Sequence, residues 1–249
     1  MSFHNQVAVV TGGSRGIGRA VALELAAAGA RVLVNYQHSA AAAAEVAGLI
    51  CQAGGEAFVF QADVSDEQAA QAMIEAALAR WGRLDVLVNN AGITDDAPLV
   101  RMKPEQWHRV IETDLTSVFL CSRAALPAMR KQRYGRIVSV GSLAGLAGNV
   151  GQVNYAAAKA GLVGFTRALA REVAADGITA NVVAPGYIDT ELVDTVSPAI
   201  REWALNVIAV RRFGTAEEVA RVVVFLSSAA AGYVTGQSVL VDGGLAKGV

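Results

Sequence analysis

A phenol and an amine four residues apart carry the first chemistry visible in this chain. Tyr155-Ala156-Ala157-Ala158-Lys159 sits in an alanine-rich, helix-like stretch, where positions i and i+4 share one face. Phenol and ammonium can then point into one cleft and pass a proton to or from an oxygen. A free phenol titrates near about 10, a poor match to neutral pH. A cation about 4 Å away, at an effective dielectric of about 20, is worth about 4 kcal/mol, nearly three pKa units, before burial offsets part of it. Ser142 precedes the tyrosine by thirteen residues and follows an apolar run by two. A Tyr/Lys pair by itself is an ordinary helix surface, so the assignment depends on what surrounds it.

A second constellation lies at the amino terminus. Thr11-Gly12-Gly13-Ser14-Arg15-Gly16-Ile17-Gly18 closes the apolar run Val7–Thr11 and opens a helical stretch. Glycines let the backbone turn sharply and let a pyrophosphate approach the helix N-terminus, where unpaired N–H groups favour anions. The spacing is Gly-x-x-x-Gly-x-Gly, and no Lys-Ser/Thr pair follows, which excludes a Walker loop. The run Arg31–Tyr36 continues as Gln37-His38-Ser39, with Asn35 and Tyr36 at its end and no acid to hold the ribose 2′-hydroxyl of NAD. Arg15 offers a planar charged fork to a 2′-phosphate, which favours NADP(H); a solvated loop charge is the alternative. Asp63-Val64 is placed to accept from the adenine amino group or to cap a helix, although Ser65 or Asp66 fits the cap better. Asn89-Asn90-Ala91-Gly92 ends the run Leu84–Asn89 beside the nucleotide.

These residues need a scaffold that brings distant segments to one edge. Apolar runs at Val7–Thr11, Arg31–Tyr36, Glu56–Gln61, Leu84–Asn89, Arg136–Val140, Thr179–Ala184 and Ser238–Val241 read as buried strands. Helical stretches fall between them: Gly16–Ala28, Ala40–Ala53, Asp66–Trp81, one long helix from Pro104 to Lys131, Asn154–Ala175 and Ala216–Ser227. Wholly apolar strands separated by helices predict an α/β fold, a doubly wound, seven-stranded parallel sheet with helices on both faces. In such sheets the strands' carboxyl ends face the ligand crevice, which converges Ser142, Asn90 and the glycine loop on one place. No linker-like shift in composition appears, so residues 1–249 read as a single domain. The stretch 186–215 is long and lacks clear periodicity, and its place after the sixth strand predicts a substrate-binding lid.

Composition narrows the function classes. The 249 residues carry 21 Lys+Arg against 22 Asp+Glu, a net charge of −1, which gives no electrostatic case for nucleic acid or an anionic membrane. Cys51, Cys121 and the scattered His4, His38 and His108 lack metal-ligand spacing, so no metal is expected. No uninterrupted apolar run approaches the roughly 18 residues of a membrane span, and the apolar run from Val7 leaves no room for a signal peptide. The expectation is a cytoplasmic enzyme.

Taken together, Thr11–Gly18, Asp63, Asn89–Gly92, Ser142, Tyr155, Lys159, Pro185-Gly186 and Val241-Asp242-Gly243-Gly244 make the chain resemble a short-chain dehydrogenase/reductase over essentially its whole length. Within that family it is most similar to the 3-oxoacyl-[acyl-carrier-protein] reductases of fatty acid biosynthesis. Supporting stretches are Asn90–Thr94, Arg101-Met102-Lys103, Gly151–Gly161 and Tyr233–Gln237. The resemblance implies a Rossmann fold and an NADPH-dependent reduction of 3-oxoacyl thioesters. Tyr155 would give the proton to the carbonyl oxygen while hydride passes from NADPH to the carbonyl carbon. Lys159 would bind the nicotinamide ribose and favour the tyrosinate, and Ser142 would polarise the carbonyl. Gly12, Ser14, Arg15, Gly16, Ile17, Gly18, Asn35, Tyr36, Asp63, Val64, Asn90, Ala91, Gly92, Pro185, Gly186, Ile188 and Thr190 would join Tyr155 and Lys159 around the cofactor. It also implies a homotetramer, for which the small residues Ala156, Ala157, Ala158, Ala160, Gly161 and Gly164 would allow close helix contact; packing within the subunit is their alternative.

Three positions depart from the family pattern. Asp114 stands where the family usually has an asparagine that holds a water in the proton relay to the lysine; it either alters the field at the tyrosine or only braces its helix. Asp95 and Asp176 replace residues that tend to be basic in the carrier-protein reductases, which weakens attraction to an acidic acyl carrier protein; Arg130, Lys131 and Arg133 keep some basic charge nearby. Two other functions stay open: an NADP-dependent reductase or alcohol dehydrogenase of a small ketone, sugar or polyol, and a nucleotide-binding but catalytically weak paralogue.

Overall fold

The computed structural model describes residues 1–190 and 198–246. Seven parallel strands form the central sheet: β1 (Val7–Val10), β2 (Arg31–Tyr36), β3 (Glu56–Gln61), β4 (Val86–Asn89), β5 (Gly135–Val140), β6 (Ile178–Pro185) and, after two further short strands, β9 (Ser238–Val241). Their order is β3-β2-β1-β4-β5-β6-β9, and every pairing is parallel. The expected doubly wound sheet is therefore present. Chain direction across the sheet reverses between β1 and β4, which opens a crevice at their carboxyl ends.

Both faces of the sheet are buried, which explains the continuous apolar runs. Val7 and Val9 of β1 enter one core with Leu33, Leu87 and Ile137; Ala8 and Val10 enter the other with Val32, Val34, Val88 and Val138. Successive strand residues point to opposite faces, so a strand covered twice has no polar phase. Helices α1 (Gly16–Ala27), α2 (Ala40–Gln52) and α9 (Ala216–Ser227) contribute to one core. Helices α3 (Glu67–Trp81), α5 (Ser117–Gln132) and α7 (Val153–Val173) contribute to the other. Asp66 caps α3 by accepting from Ala69 N at 2.8 Å, as its side-chain chemistry predicts.

The single helix expected from Pro104 to Lys131 is instead three segments. Helix α4 (Pro104–Ile111) runs into a π-helical turn at Glu112–Thr116, and α5 follows. A π-turn accommodates one more residue per turn than an α-helix, and such turns are common at functional sites. The stretch 186–215 also has more structure than its sequence suggested. Strand β7 (Ile188–Asp189) pairs with β8 (Gly214–Thr215), and α8 (Pro198–Val207) lies between them. The middle of that stretch, 191–197, lies outside the described residues.

Helix α6 (Ala144–Ala147), which no sequence signal predicted, follows β5 and packs on α7. The contact depends on Gly145, where a Cβ would sit 2.6 Å from the backbone carbon of Lys159 and 2.8 Å from Ala160 N. Neither neighbour is a flexible side-chain tip. Gly145→Ala should therefore lower stability by about 1–3 kcal/mol, the usual cost of overpacking; chemical denaturation checks this, and a gain in stability would show that α6 floats free of α7.

Candidate active site

The crevice at the carboxyl ends of β1 and β4 is lined first by the glycine loop. Gly12 and Gly16 adopt positive φ angles of 60° and 52°, accessible to glycine without penalty. At Gly18 a Cβ would lie 2.3 Å from Gly12 O and 2.4 Å from Asn90 Nδ2, so the third glycine is needed for the loop to fold back on its own helix. Helix α1 begins at Gly16 with no side-chain cap and no acidic residue in its first turn. Its amino-terminal N–H groups are thus aimed at an anion, with Arg15 at the cap position.

Two asparagines hold this loop rigid. Asn35 Oδ1 accepts from Gly12 N at 3.1 Å, while Asn35 Nδ2 donates to Ala62 O at 3.1 Å and Phe60 O at 3.3 Å. Gly13 N donates to Asn35 O at 2.8 Å. The Asn35 amide is spent on backbone groups, and the residue is 2% exposed. Asn90 Nδ2 donates to Thr11 O at 2.9 Å and to Gly12 O at 3.0 Å, and Thr11 Oγ1 accepts from Asn90 N and Ala91 N. These bonds join the β1 and β4 loops into one unit.

The adenosine end is built less tightly. Asp63 Oδ1 accepts from Ser65 N and Oγ, and Oδ2 accepts from Gln37 Nε2 at 2.6 Å. Asp63 is exposed and Tyr36 half-buried. Val64 is core, 5% exposed, leaving only its backbone for a ligand. At the opposite rim, Thr190 follows β7 and approaches the glycine loop: a Cβ on Gly16 would lie 3.8 Å from Thr190 Cγ2. Ile188 is buried beneath it, and Gly186 packs on Asp242, where a Cβ would be 2.9 Å from the Asp242 Cβ.

The candidate proton-transfer residues come from three elements. Lys159 of α7 is 5% exposed, and its Nζ donates to Val140 O, the last residue of β5, at 3.0 Å. It also forms an ion pair with Asp114 Oδ2 at 3.0 Å. Burial alone would push the ammonium's pKa down; the Asp114 carboxylate, aided by Tyr155, reverses this and holds it above the ordinary lysine value. Asp114, in the π-turn, is fully buried, and its Oδ1 accepts from Ile93 N at 2.8 Å. The Lys159 Nζ stands 5.5 Å from the centre of the Tyr155 ring. Ser142 follows Val140 by two residues, and its Oγ accepts from Ala144 N at 3.1 Å. The Ser142 turn is pinned to β6, because Gly141 N donates to Val183 O and Leu143 N to Pro185 O. Gly92 completes the cradle, since a Cβ there would lie 2.7 Å from Asp114 Oδ2 and 3.3 Å from Lys159 Nζ.

Asp95, in the loop after β4, and Asp176, beyond the carboxyl end of α7, are internally paired. Asp95 accepts from Gln106 and Arg109, and the pair holds its carboxyl below the usual range. Asp176 binds Arg130 at 3.1 Å and Arg133 at 2.6 Å, and Arg130 also meets Glu172. Those arginines are therefore neither a free basic patch nor a simply solvated helix end.

A family model described as Enoyl-(Acyl carrier protein) reductase matches residues 12–246. A 3-oxoacyl-[acyl-carrier-protein] reductase of Synechocystis sp. is 49% identical over 241 residues, 96% of each chain. The FabG 3-oxoacyl-[acyl-carrier-protein] reductase of Escherichia coli is 47% identical over 247 residues, covering 98% of this chain and 99% of its own. Its Staphylococcus aureus counterpart is 47% identical over 238 residues, 96% of this chain and 97% of its own.

Removing the loop brace should be measurable without any ligand. Asn35→Ala strands the Gly12 N–H and the carbonyls of Phe60 and Ala62, and unsatisfied buried groups cost about 1–3 kcal/mol. Denaturant unfolding should show that loss; an unchanged unfolding midpoint would mean that the glycine loop holds itself.

Proposed function

The chain belongs to the short-chain dehydrogenase/reductase family, and on that footing we propose that it is an NADPH-dependent reductase of 3-oxoacyl thioesters, carried by acyl carrier protein or coenzyme A. The observation that carries this reading is the meeting of Tyr155, the buried Lys159 and the Ser142 turn beside a braced glycine loop. The family model's description names enoyl reduction; the relatives at 47–49% identity favour the 3-oxo substrate.

The cofactor fits the loop on this chain's own geometry: positive-φ glycines, a helix N-terminus without a side-chain cap, and Thr190 poised above Gly16. When bound, the reduced nicotinamide supplies hydride to the carbonyl carbon. Arg15 at the helix cap would pair with the 2′-phosphate, and β2 ends without a carboxylate to oppose it. Tyr155 would donate its phenolic proton to the developing alkoxide, and Ser142 would hold that oxygen by a hydrogen bond. Lys159, fixed through Val140 O, would reach the ribose. The segment 186–215, read as part of one domain spanning 1–249, would close over the acyl chain.

Assembly as a homotetramer is part of the same proposal. Gly161 is spent within the subunit, where a Cβ would lie 2.8 Å from Leu115 Cδ2, but a Cβ at Gly164 would meet nothing within 4 Å. Among the described residues, no helix is long and apolar enough to cross a membrane.

Steady-state oxidation of NADPH with an acetoacetyl thioester, beside a panel of small ketones, tests the activity; turnover of the ketones alone would move the substrate class. Tyr155→Phe should reduce turnover at least about 10²–10⁴-fold, the range for general acid catalysis, with NADPH binding preserved; near-normal turnover would sink the mechanism. Arg15→Ala should weaken NADPH binding by about 1.5–3 kcal/mol, typical of a charged hydrogen bond, and leave NADH nearly unchanged. Equal losses with both cofactors, measured by titration, would show that Arg15 does not read the 2′-phosphate.

A further inference from the structure

Resting on the reductase reading above, we infer that Asp114 is a positioning residue that sets the pH range of proton transfer, by placing a carboxylate against the ammonium that faces Tyr155. The geometry leaves it no looser role. Asp114 is fully buried and its Oδ2 lies 3.0 Å from Lys159 Nζ, a contact without an intervening water. Ile93 N fixes the other oxygen at 2.8 Å, and the missing side chain at Gly92 makes the space that Oδ2 occupies, since a Cβ there would lie 2.7 Å from it. An ammonium has three N–H groups. Val140 O takes one, while Asp114 Oδ2 stands at ion-pair distance without a hydrogen-bond partner of its own, so its charge meets the ammonium directly.

Among the described residues on the elements packed against α7, no other charge competes with this pair. Helix α6 and strand β6, which pack on α7, carry no titratable side chain. Helix α4 carries Glu105, His108 and Arg109, all exposed, and Glu112 of the π-turn is exposed as well. On α7 itself Arg167, Arg171 and Glu172 are exposed. In the loop after β4, Asp95 is paired with Arg109, and Asp96 accepts from Gln152. Asp176 at the far end of α7 is paired with Arg130 and Arg133.

The sign follows from charge. A lone ammonium favours the phenolate; a carboxylate beside it keeps the proton on the phenol to higher pH. Reduction consumes the phenol's proton, so its rate persists further into alkali. Oxidation starts from the phenolate, so its rate begins to rise at higher pH. The overall equilibrium between ketone and alcohol is untouched.

The experiment compares the unmodified protein with Asp114→Asn, which keeps the shape, and Asp114→Ser, a second neutral variant. The pH–rate profiles for reduction of an acetoacetyl thioester and oxidation of the 3-hydroxybutyryl thioester should both move to lower pH. A second readout needs neither substrate nor cofactor. The ultraviolet absorbance of tyrosinate, taken as the difference between each protein and its Tyr155→Phe partner, should develop at lower pH in both neutral variants. Unshifted absorbance and unshifted profiles, with only a lower melting temperature, would make Asp114 a mere helix brace and overturn the inference. Should both variants fail to fold, the unmodified protein decides. Tyrosinate absorbance already developing near neutral pH, where a lone ammonium would put it, overturns the inference; development only well into alkali supports it. Absence of turnover with every ketone would defeat the reductase reading and leave the absorbance titration to judge Asp114.

Discussion

An ammonium taken out of water must be met by oxygen, and Lys159 is 5% exposed. Its two partners come from opposite sides of the crevice: Val140 O ends β5, and Asp114 belongs to the π-turn between α4 and α5. Lys159 itself is on α7. One buried charge thus ties a strand end, a helix irregularity and the long helix that carries Tyr155. Either partner lost leaves a charge or a carbonyl stranded, and breaking a buried pair on one side costs several kcal/mol, about 3–5. The sheet fixes where β5 ends; the pair fixes how α5 and α7 are set against it.

The same economy governs the nucleotide side. The glycine loop has little side chain with which to hold its shape, so neighbouring strands hold it. Asn35 reaches from β2 and Asn90 from the end of β4, each bonding backbone groups of the β1 loop. Thr11 Oγ1 returns the contact to the β4 loop. Rigidity is therefore imported into a segment whose glycines alone would make it pliable, and the N–H groups at the start of α1 are held in place by the protein itself.

Much of this was legible in the sequence, and the failures have physical reasons. Val7–Val10 stands out because burial on both faces leaves it no polar phase, whereas Ile178–Pro185 is legible although it buries Thr179 and Asn181. The glycine loop and the Tyr155/Lys159 spacing are local, so they could be read directly. The bracing role of Asn35 is not local: its bonds run to Gly12, Phe60 and Ala62, which only the parallel register brings near. The π-turn was hidden because Pro104–Gln132 has no proline or glycine at Glu112–Thr116 to mark a break. The α8 helix did leave a signal in Pro198, a residue suited to a first helical turn, followed by Trp203, Ala204 and Val207 at helical spacing. Asp114 drew notice as a departure, yet its direct contact with a lysine 45 positions away came only with the fold.

The π-turn also acts as a phase shifter in an otherwise regular screw. Upstream of it Val110 is buried, and downstream Val118, Cys121, Ala125 and Met129 face the core. The extra residue is what brings both stretches inward at once. Excising one position there would turn α4 about 100° around its axis relative to α5, carrying Val110 toward solvent and Asp114 off the lysine together. The length of the chain between Pro104 and Met129 is therefore as binding a constraint as the identity of Asp114 within it. The catalytic pocket is thus guarded by a count of residues as much as by their kind.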